Sequence, residues 1–147
     1  MSIFLGGTSS ANECHDYEEG SFTMSLSQGS NTSNSGRYVK IGTMVLAAGN
    51  VSLDNISSGD TVTINGLPFT ADGGGVGRSY NGSIRGYNCS NISGSGMRPT
   101  NAVIHGDGTN VQFGTFESAQ AWSMMQYNDF TSTNNSIRWT CVYKSND

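Results

Sequence analysis

Hydrophobic and polar residues alternate with a period of two along most of the chain, a pattern that predicts β-strands. In residues 21–26 (SFTMSL), the phenylalanine, methionine and leucine fall on one face. Further strands are predicted at residues 36–41, 44–53, 61–65, 77–87, 101–105, 109–116 and 136–143. Turn signals lie between them, among them Gly42-Thr43 and Gly106-Asp107-Gly108.

Helical periodicity is nearly absent. The best helical candidate is residues 117–126 (ESAQAWSMMQ), which contain good helix formers but fit equally well a loop that leads into a strand. Short strands separated by turns, without intervening helices, indicate an all-β chain. We therefore predict an antiparallel β-sandwich or jelly-roll-like fold of about eight or nine strands over residues 21–147, with residues 1–20 forming an N-terminal docking arm or stem remnant.

The composition fits many short strands joined by tight turns. The chain has 147 residues, of which 20 are Gly, 22 Ser and 15 Asn, and only 12% are charged. Disordered chains share such a composition, but the aromatic residues (10%) fall within the alternating segments, which favours a folded domain. No apolar run approaches the roughly 18 residues of a membrane helix, so we expect no membrane insertion.

The charge pattern argues against nucleic-acid binding. The formal net charge is −4, and the seven Lys and Arg residues are scattered from Arg37 to Lys144. Nucleic-acid binding needs cations clustered where they face phosphates. The first residues, MSIFLGG, lack the length and the positive flank of a signal peptide, so we expect a protein that is made and folded in a cytoplasm.

No constellation of residues indicates an enzyme. Most acidic residues lie beside Gly, Ser or Asn, where they suit turns, and nothing singles out a pair for acid–base chemistry. The two histidines lack the ligand spacing of metal sites, and the glycine-rich residues 72–78 lack the ending of a P-loop. Cys14, Cys89 and Cys141 have no close spacing, which predicts free buried thiols. We predict a non-enzymatic protein without a metal or cofactor.

Aromatic residues surrounded by amides and hydroxyls are the candidate binding residues. Tyr80, Trp122 and Tyr127 lie among Asn, Ser and Gly. An aromatic face beside short amide and hydroxyl groups suits a polyhydroxylated ligand such as a glycan. The pattern leaves open whether these three rings bind a ligand or belong to the core. Trp139 and Tyr143, on the alternating last strand, are predicted to be core residues.

Four short motifs occur in the first half of the chain: LGGTSSAN (residues 5–12), DYEEGSFTMSL (16–26), GRYVKIGTMV (36–45) and INGLPF (64–69). In their order and spacing they resemble the C-terminal regions of bacteriophage tail fibre and tail spike proteins. The proline usual in the second motif is Met24 here. The resemblance covers residues 5–70. It implies a β-rich, trimeric fibre-end domain of the virion, assembled in the host bacterial cytoplasm, whose loops contact the host cell surface.

Two hypotheses follow. In the first, the chain is a homotrimeric fibre-tip module, a structural protein of the virion that contacts other virion proteins and a host surface glycan through the three aromatic residues named above. In the second, it is a capsid decoration or spike protein, or a tail adaptor, with no ligand of its own. The second hypothesis rests on the apolar residues Ile3, Phe4 and Leu5, which are able to add a strand to a partner sheet.

Overall fold

The described part of the chain is built almost entirely from β-strands. The computed structural model describes residues 3–4, 13–14, 16–29, 34–53, 59–74, 79–87, 99–115, 122–130 and 135–147. Their strands are β1 (Ile3–Phe4), β2 (Glu13–Cys14), β3 (Tyr17–Thr23), β4 (Ser25–Leu26), β5 (Asn34–Ile41), β6 (Met44–Leu53), β7 (Thr63–Asn65), β8 (Ser79–Tyr87), β9 (Pro99–His105), β10 (Asn110–Thr115), β11 (Ser123–Met124) and β12 (Asn135–Lys144). A 3-10 turn covers Tyr127–Asp129. Within these residues, no helix has the length and apolar character needed to span a membrane.

Ten of these strands form one antiparallel sheet that closes into a near-barrel. The strand order is β3-β5-β6-β12-β8-β9-β10-β7-β4, with β11 paired to β10. The two ends of this order, β3 and β4, are separated in the chain by Met24 alone, so the edges of the sheet meet there. Gly66 permits this approach, because its φ is +100° and a Cβ would lie 2.6 Å from the Thr23 carbonyl oxygen. The prediction of an antiparallel all-β fold is confirmed.

The core lies inside the near-barrel and takes alternate residues from its strands, since successive side chains of a strand point to opposite faces. Trp139 and Tyr143 are core residues, as predicted, with exposed fractions of 2% and 1%. Among the cysteines whose side chains are described, Cys141 is a free, buried thiol, also as predicted. Strands β6 and β12 together contribute the following buried apolar residues: Val45, Ala47, Val51, Leu53, Ile137, Trp139, Cys141 and Tyr143.

The two tight turns expected from the sequence are both present. Gly42 lies between the paired residues Ile41 and Met44 with a φ of +57°, which is the positive φ that a type II′ hairpin needs at its first central position. Between β9 and β10, Asp107 has a φ of 62°, a conformation that Asp adopts more readily than most residues. Turn chemistry therefore fixed both hairpins locally.

The helical alternative for residues 117–126 is wrong in its described part. Ser123–Met124 is strand β11, paired with Gly114 and Thr115 of β10. Residues 117–121 lie outside the described residues. Met125 is fully buried, and this burial together with the β10 pairing outweighs the helix propensity of the segment, which is a weak preference.

Strand β3 crosses the expected boundary between residues 20 and 21. It pairs with β5 along its whole length, so Tyr17 to Gly20 are part of the main sheet. Before it, β1 and β2 form a separate two-stranded sheet in which Ile3 pairs with Cys14 and Phe4 with Glu13. Leu5 lies outside the described residues.

Candidate functional site

Three of the motifs that carry the resemblance contact one another. The Tyr38 hydroxyl, from the third motif, donates a hydrogen bond to the Glu18 carboxylate of the second. The Tyr38 ring meets the Phe69 ring of the fourth motif edge-on at 5.2 Å between centroids, and Lys40 Nζ lies 4.6 Å from the centre of the Phe69 ring. We name these four residues the motif cluster. The four residues form one packed group, because each of them contacts another member of the set.

Two tyrosines of this region donate hydrogen bonds to carboxylates, and these bonds raise the pKa of both hydroxyls above the ordinary value. The bond to Glu18 raises the pKa of Tyr38, with further contributions from burial and from the carboxylate charge. Tyr17 likewise donates to Glu19 Oε2 at 2.7 Å, and this bond raises the pKa of Tyr17. Both hydroxyls therefore remain donors that fix the acidic pair of the second motif.

Two of the three predicted glycan-binding rings are buried, one fully and one partly. Tyr127 has an exposed fraction of 0%, and its hydroxyl bonds to Ser27 Oγ at 3.1 Å and accepts from the Gln28 N–H at 3.2 Å. Tyr80 is half-buried, packs edge-on against Tyr143 and donates to the Asp72 carbonyl at 3.0 Å. We correct the expectation for Tyr127, because a fully buried ring offers no stacking surface; its polar sequence neighbours hid a core position.

Trp122 is the predicted ring that reaches the surface, with an exposed fraction of 43%. Its indole lies over Gly114, where an added Cβ would overlap both Trp122 Nε1 and Asn101 Oδ1. Asn101 donates to Asn81 Oδ1 at 2.8 Å, and the Thr100 hydroxyl bonds to the Gly114 carbonyl at 3.2 Å. We name these five residues the tryptophan site. It combines an indole with amides and a hydroxyl, the groups that suit a sugar.

A chain of hydrogen bonds crosses four strands on the outer surface beside the tryptophan site. Ser79 Oγ lies 3.2 Å from His105 Nδ1, and His105 Nε2 lies 3.2 Å from Gln112 Oε1. Gln112 Nε2 then donates to Thr63 Oγ1 at 3.1 Å. These side chains satisfy one another, so the chain of bonds stiffens the sheet and leaves few groups for a ligand. Within the described residues, no group of three His, Cys, Asp or Glu is placed to hold a metal ion.

A strip of apolar side chains lies exposed on the outer face of β3, β5, β6 and β12. Register places Ile41 beside Met44 and Leu46 beside Val142. The strip consists of Tyr17 (37% exposed), Ile41 (44%), Met44 (54%), Leu46 (44%) and Val142 (49%). Sequence analysis did not identify it. The available signal was the run MVLAA at the start of β6, which is apolar on both faces where a half-solvated strand alternates.

The chain matches no family model, no curated protein and no solved structure. The surfaces described above are therefore the basis for any functional conclusion. Contiguous exposed apolar residues mark interaction surfaces in soluble proteins, and an indole beside amides and hydroxyls has the chemistry of a sugar contact. Both features are typical of a binding or assembly module.

Proposed function

We propose that this chain is a structural protein of a bacteriophage virion, a homotrimeric fibre-tip module that contacts a glycan on the host cell surface. The observation that carries the proposal is the motif cluster. Residues from three of the motifs by which the chain resembles tail fibre and tail spike proteins pack together in this chain, which supports reading the motifs as one structural unit.

The apolar strip is the surface that we expect the trimer to bury. Its side chains point away from the core, so their replacement by serine removes apolar area from an interface without opening a cavity. Light scattering of the purified protein should give a mass about three times 15.5 kDa. The double variant Met44→Ser/Leu46→Ser should be a folded monomer, whereas Trp122→Ala should remain a trimer. A wild-type monomer at micromolar concentration contradicts the trimer.

The tryptophan site is the surface that we expect to contact sugar. Binding of purified protein to host cells and to a glycan array tests this contact. Trp122→Ala should lose about 5- to 150-fold in affinity, since stacking of an aromatic side chain on a ligand contributes on the order of 1–3 kcal/mol. Trp122→Tyr keeps an aromatic ring and should retain most of the binding. Wild-type protein that binds neither cells nor any glycan contradicts the host-contact role.

The second hypothesis, a capsid decoration or spike protein or a tail adaptor without a ligand, has one specific observation in its favour. β1 pairs with β2 in a two-stranded sheet of its own, and a strand in such a small sheet is able to pair with a partner's sheet edge. Deletion of residues 1–12 should then abolish incorporation into virions while the near-barrel stays folded by circular dichroism. Incorporation of the truncated chain rules out this version.

A further inference from the structure

Three arginines that are far apart in the sequence lie on one outer face of the near-barrel. Arg37 is on β5, Arg138 on β12 and Arg85 on β8. Arg138 and Arg85 are direct cross-strand partners. Arg37 is in the neighbouring row, in register with Ala48, which is itself in register with Thr140. All three arginine side chains are exposed. We name this surface the arginine face.

None of the three arginines makes a hydrogen bond or an ion pair within the described part of the chain. The described lysines differ: Lys144 forms a 2.9 Å ion pair with Asp72, and Lys40 lies over the Phe69 ring. The chain has eleven acidic residues against seven basic ones, so carboxylates were available to pair with these cations. Like charges directly opposite each other on neighbouring strands are unfavourable, and Arg85 faces Arg138 with no neutralising carboxylate bonded to either one in the described part of the chain.

The surface around the arginines is rich in hydroxyls and shallow in shape. A depression of about 500 Å³ is lined by Arg37, Arg138, Thr140, Ser21 and Ser35, among others. The one acid that register places next to this group is Glu19, which accepts the hydrogen bond from Tyr17. Guanidinium groups bind carboxylates in a bidentate manner, and hydroxyls add weaker polar contacts.

The arginine face continues into the tryptophan site. A second depression is lined by Ser83 and Thr140 on the arginine side and by Asn81 and Thr100 on the tryptophan side. From Asn81 to Arg85 the distance along β8 is roughly 13 Å, at about 3.3 Å per residue. One extended ligand is therefore able to contact the indole, the amides and the arginines together.

We propose that this continuous surface binds an acidic polysaccharide, with a sugar ring on Trp122 and the carboxylates of neighbouring sugars on Arg85, Arg138 and Arg37. The inference rests on the proposed glycan contact and adds the charge of the ligand. Double-stranded nucleic acid fits the surface less well, because it presents one phosphate about every 1.7 Å along its axis and needs more clustered cations than three arginines supply, whereas an acidic polysaccharide carries at most one carboxylate per sugar. An acidic peptide also fits less well, because it would pair with the arginines and make no specific use of the indole, amides and hydroxyls at the other end of the surface.

The test is the affinity of the full chain for three carboxylate-bearing polysaccharides (polygalacturonate, alginate and hyaluronate), for neutral dextran, for double-stranded DNA and for polyglutamate, at low salt. We expect at least one acidic polysaccharide to bind at least tenfold more tightly than the other three probes. The double variant Arg85→Gln/Arg138→Gln should lose that preference. Lys144→Gln, which removes a charge that is already paired, should keep it. Thermal melting of each variant checks that the fold is intact.

Several outcomes overturn the inference. The inference is contradicted if acidic polysaccharides and dextran bind with equal affinity, or if the double variant keeps wild-type affinity. It is also contradicted if DNA or polyglutamate binds as tightly as any acidic polysaccharide. None of these results contradicts the glycan contact itself, which the Trp122 variants test. Lack of binding to all polysaccharides and to host cells contradicts the proposed glycan contact as well, so the two failures are distinguishable.

Discussion

Two adjacent rows of residues cross the same five strands, and one row faces the core whereas the other faces solvent. The inner row consists of Phe22, Gly36, Gly49, Trp139 and Ile84, and the outer row of Ser21, Arg37, Ala48, Thr140 and Ser83. The two rows differ by one position along each strand. In the inner row, the Phe22 ring lies over Gly36 and the Trp139 ring over Gly49, so large and small residues fill the space together. The outer row carries hydroxyls and Arg37, which has no hydrogen-bond or ion-pair partner among the described residues.

The two rows differ in what their side chains contact: those of the inner row pack against one another, and those of the outer row face solvent. The inner row is complementary to itself, because two glycines provide the space that two aromatic rings occupy, as close packing of a protein interior demands. The outer row has no such complementarity, and its guanidinium and hydroxyl groups face solvent. A surface of this kind adds little to the stability of the fold, and it is part of the surface on which we propose that an acidic polysaccharide binds.

The largest expected effect is the loss of the inner aromatic ring. Trp139→Ala should lower the free energy of unfolding by about 3–5 kcal/mol, because it leaves a large cavity in the core. The matched outer substitution Thr140→Ala should change it by less than about 0.5 kcal/mol. Urea denaturation monitored by circular dichroism measures both values. Similar losses at the two positions would contradict the contrast between the rows.

The second-largest effect is expected at alkaline pH, which should lower the free energy of unfolding through two buried groups, Cys141 and Tyr143. Burial raises the pKa of Cys141 from 9.0 to about 11, and burial also raises the pKa of Tyr143. The folded state then holds protons that the unfolded state has released, so both contributions to stability are full below pH 9. The Cys141 contribution falls between about pH 9 and 11, and the Tyr143 contribution falls as the pH rises above its ordinary pKa of 10.0, each by at most about 1.4 kcal/mol per pH unit.

Denaturation curves at pH 8, 9.5 and 11 test this titration. Cys141→Ala removes one of the two groups, so its stability should fall less steeply with pH than that of the wild type. Stability that stays level from pH 8 to 11 would show that the thiol and the phenol ionise alike in both states.

A methyl group at an inner glycine should have a smaller effect. Gly36→Ala places a Cβ where the Phe22 ring lies, and such overpacking costs typically about 1–3 kcal/mol. Ser21→Ala, at an exposed outer position beside it, is the control and should be neutral. Equal melting temperatures for wild type and Gly36→Ala would mean that the ring moves aside freely.

The smallest expected effect has the opposite sign. Arg85→Gln removes a cation directly opposite Arg138, so it should raise the free energy of unfolding by about 0.2–1 kcal/mol at low salt. Arg37→Gln is the matched control, since its cross-strand neighbours are Ser21 and Ala48, and it should give no gain. An equal gain in both variants would mean that the repulsion comes from overall charge rather than from the facing pair.

Most strands were predictable from local pattern. The predicted segment 44–53 agrees with β6 at both ends, and the segment 136–143 lies within β12, because a strand with one buried face reveals its period of two in the sequence. Residues 117–126 were ambiguous, since good helix formers there are overridden by burial of Met125 and by pairing with β10. Among the predicted binding residues, Trp122 is exposed, whereas Tyr127 has equally polar sequence neighbours and is buried.

The sequence by itself determined the all-β character, the hairpin turns and the core role of the last strand, because alternation and turn chemistry act between near neighbours. Only the tertiary structure decided that β3 and β4 join the two edges of the sheet, and that Arg37, Arg85 and Arg138 share a face. Those arginines are scattered in the sequence, and strand order together with register brings them together. The arginine face, on which the proposed acidic ligand depends, is therefore a consequence of the fold.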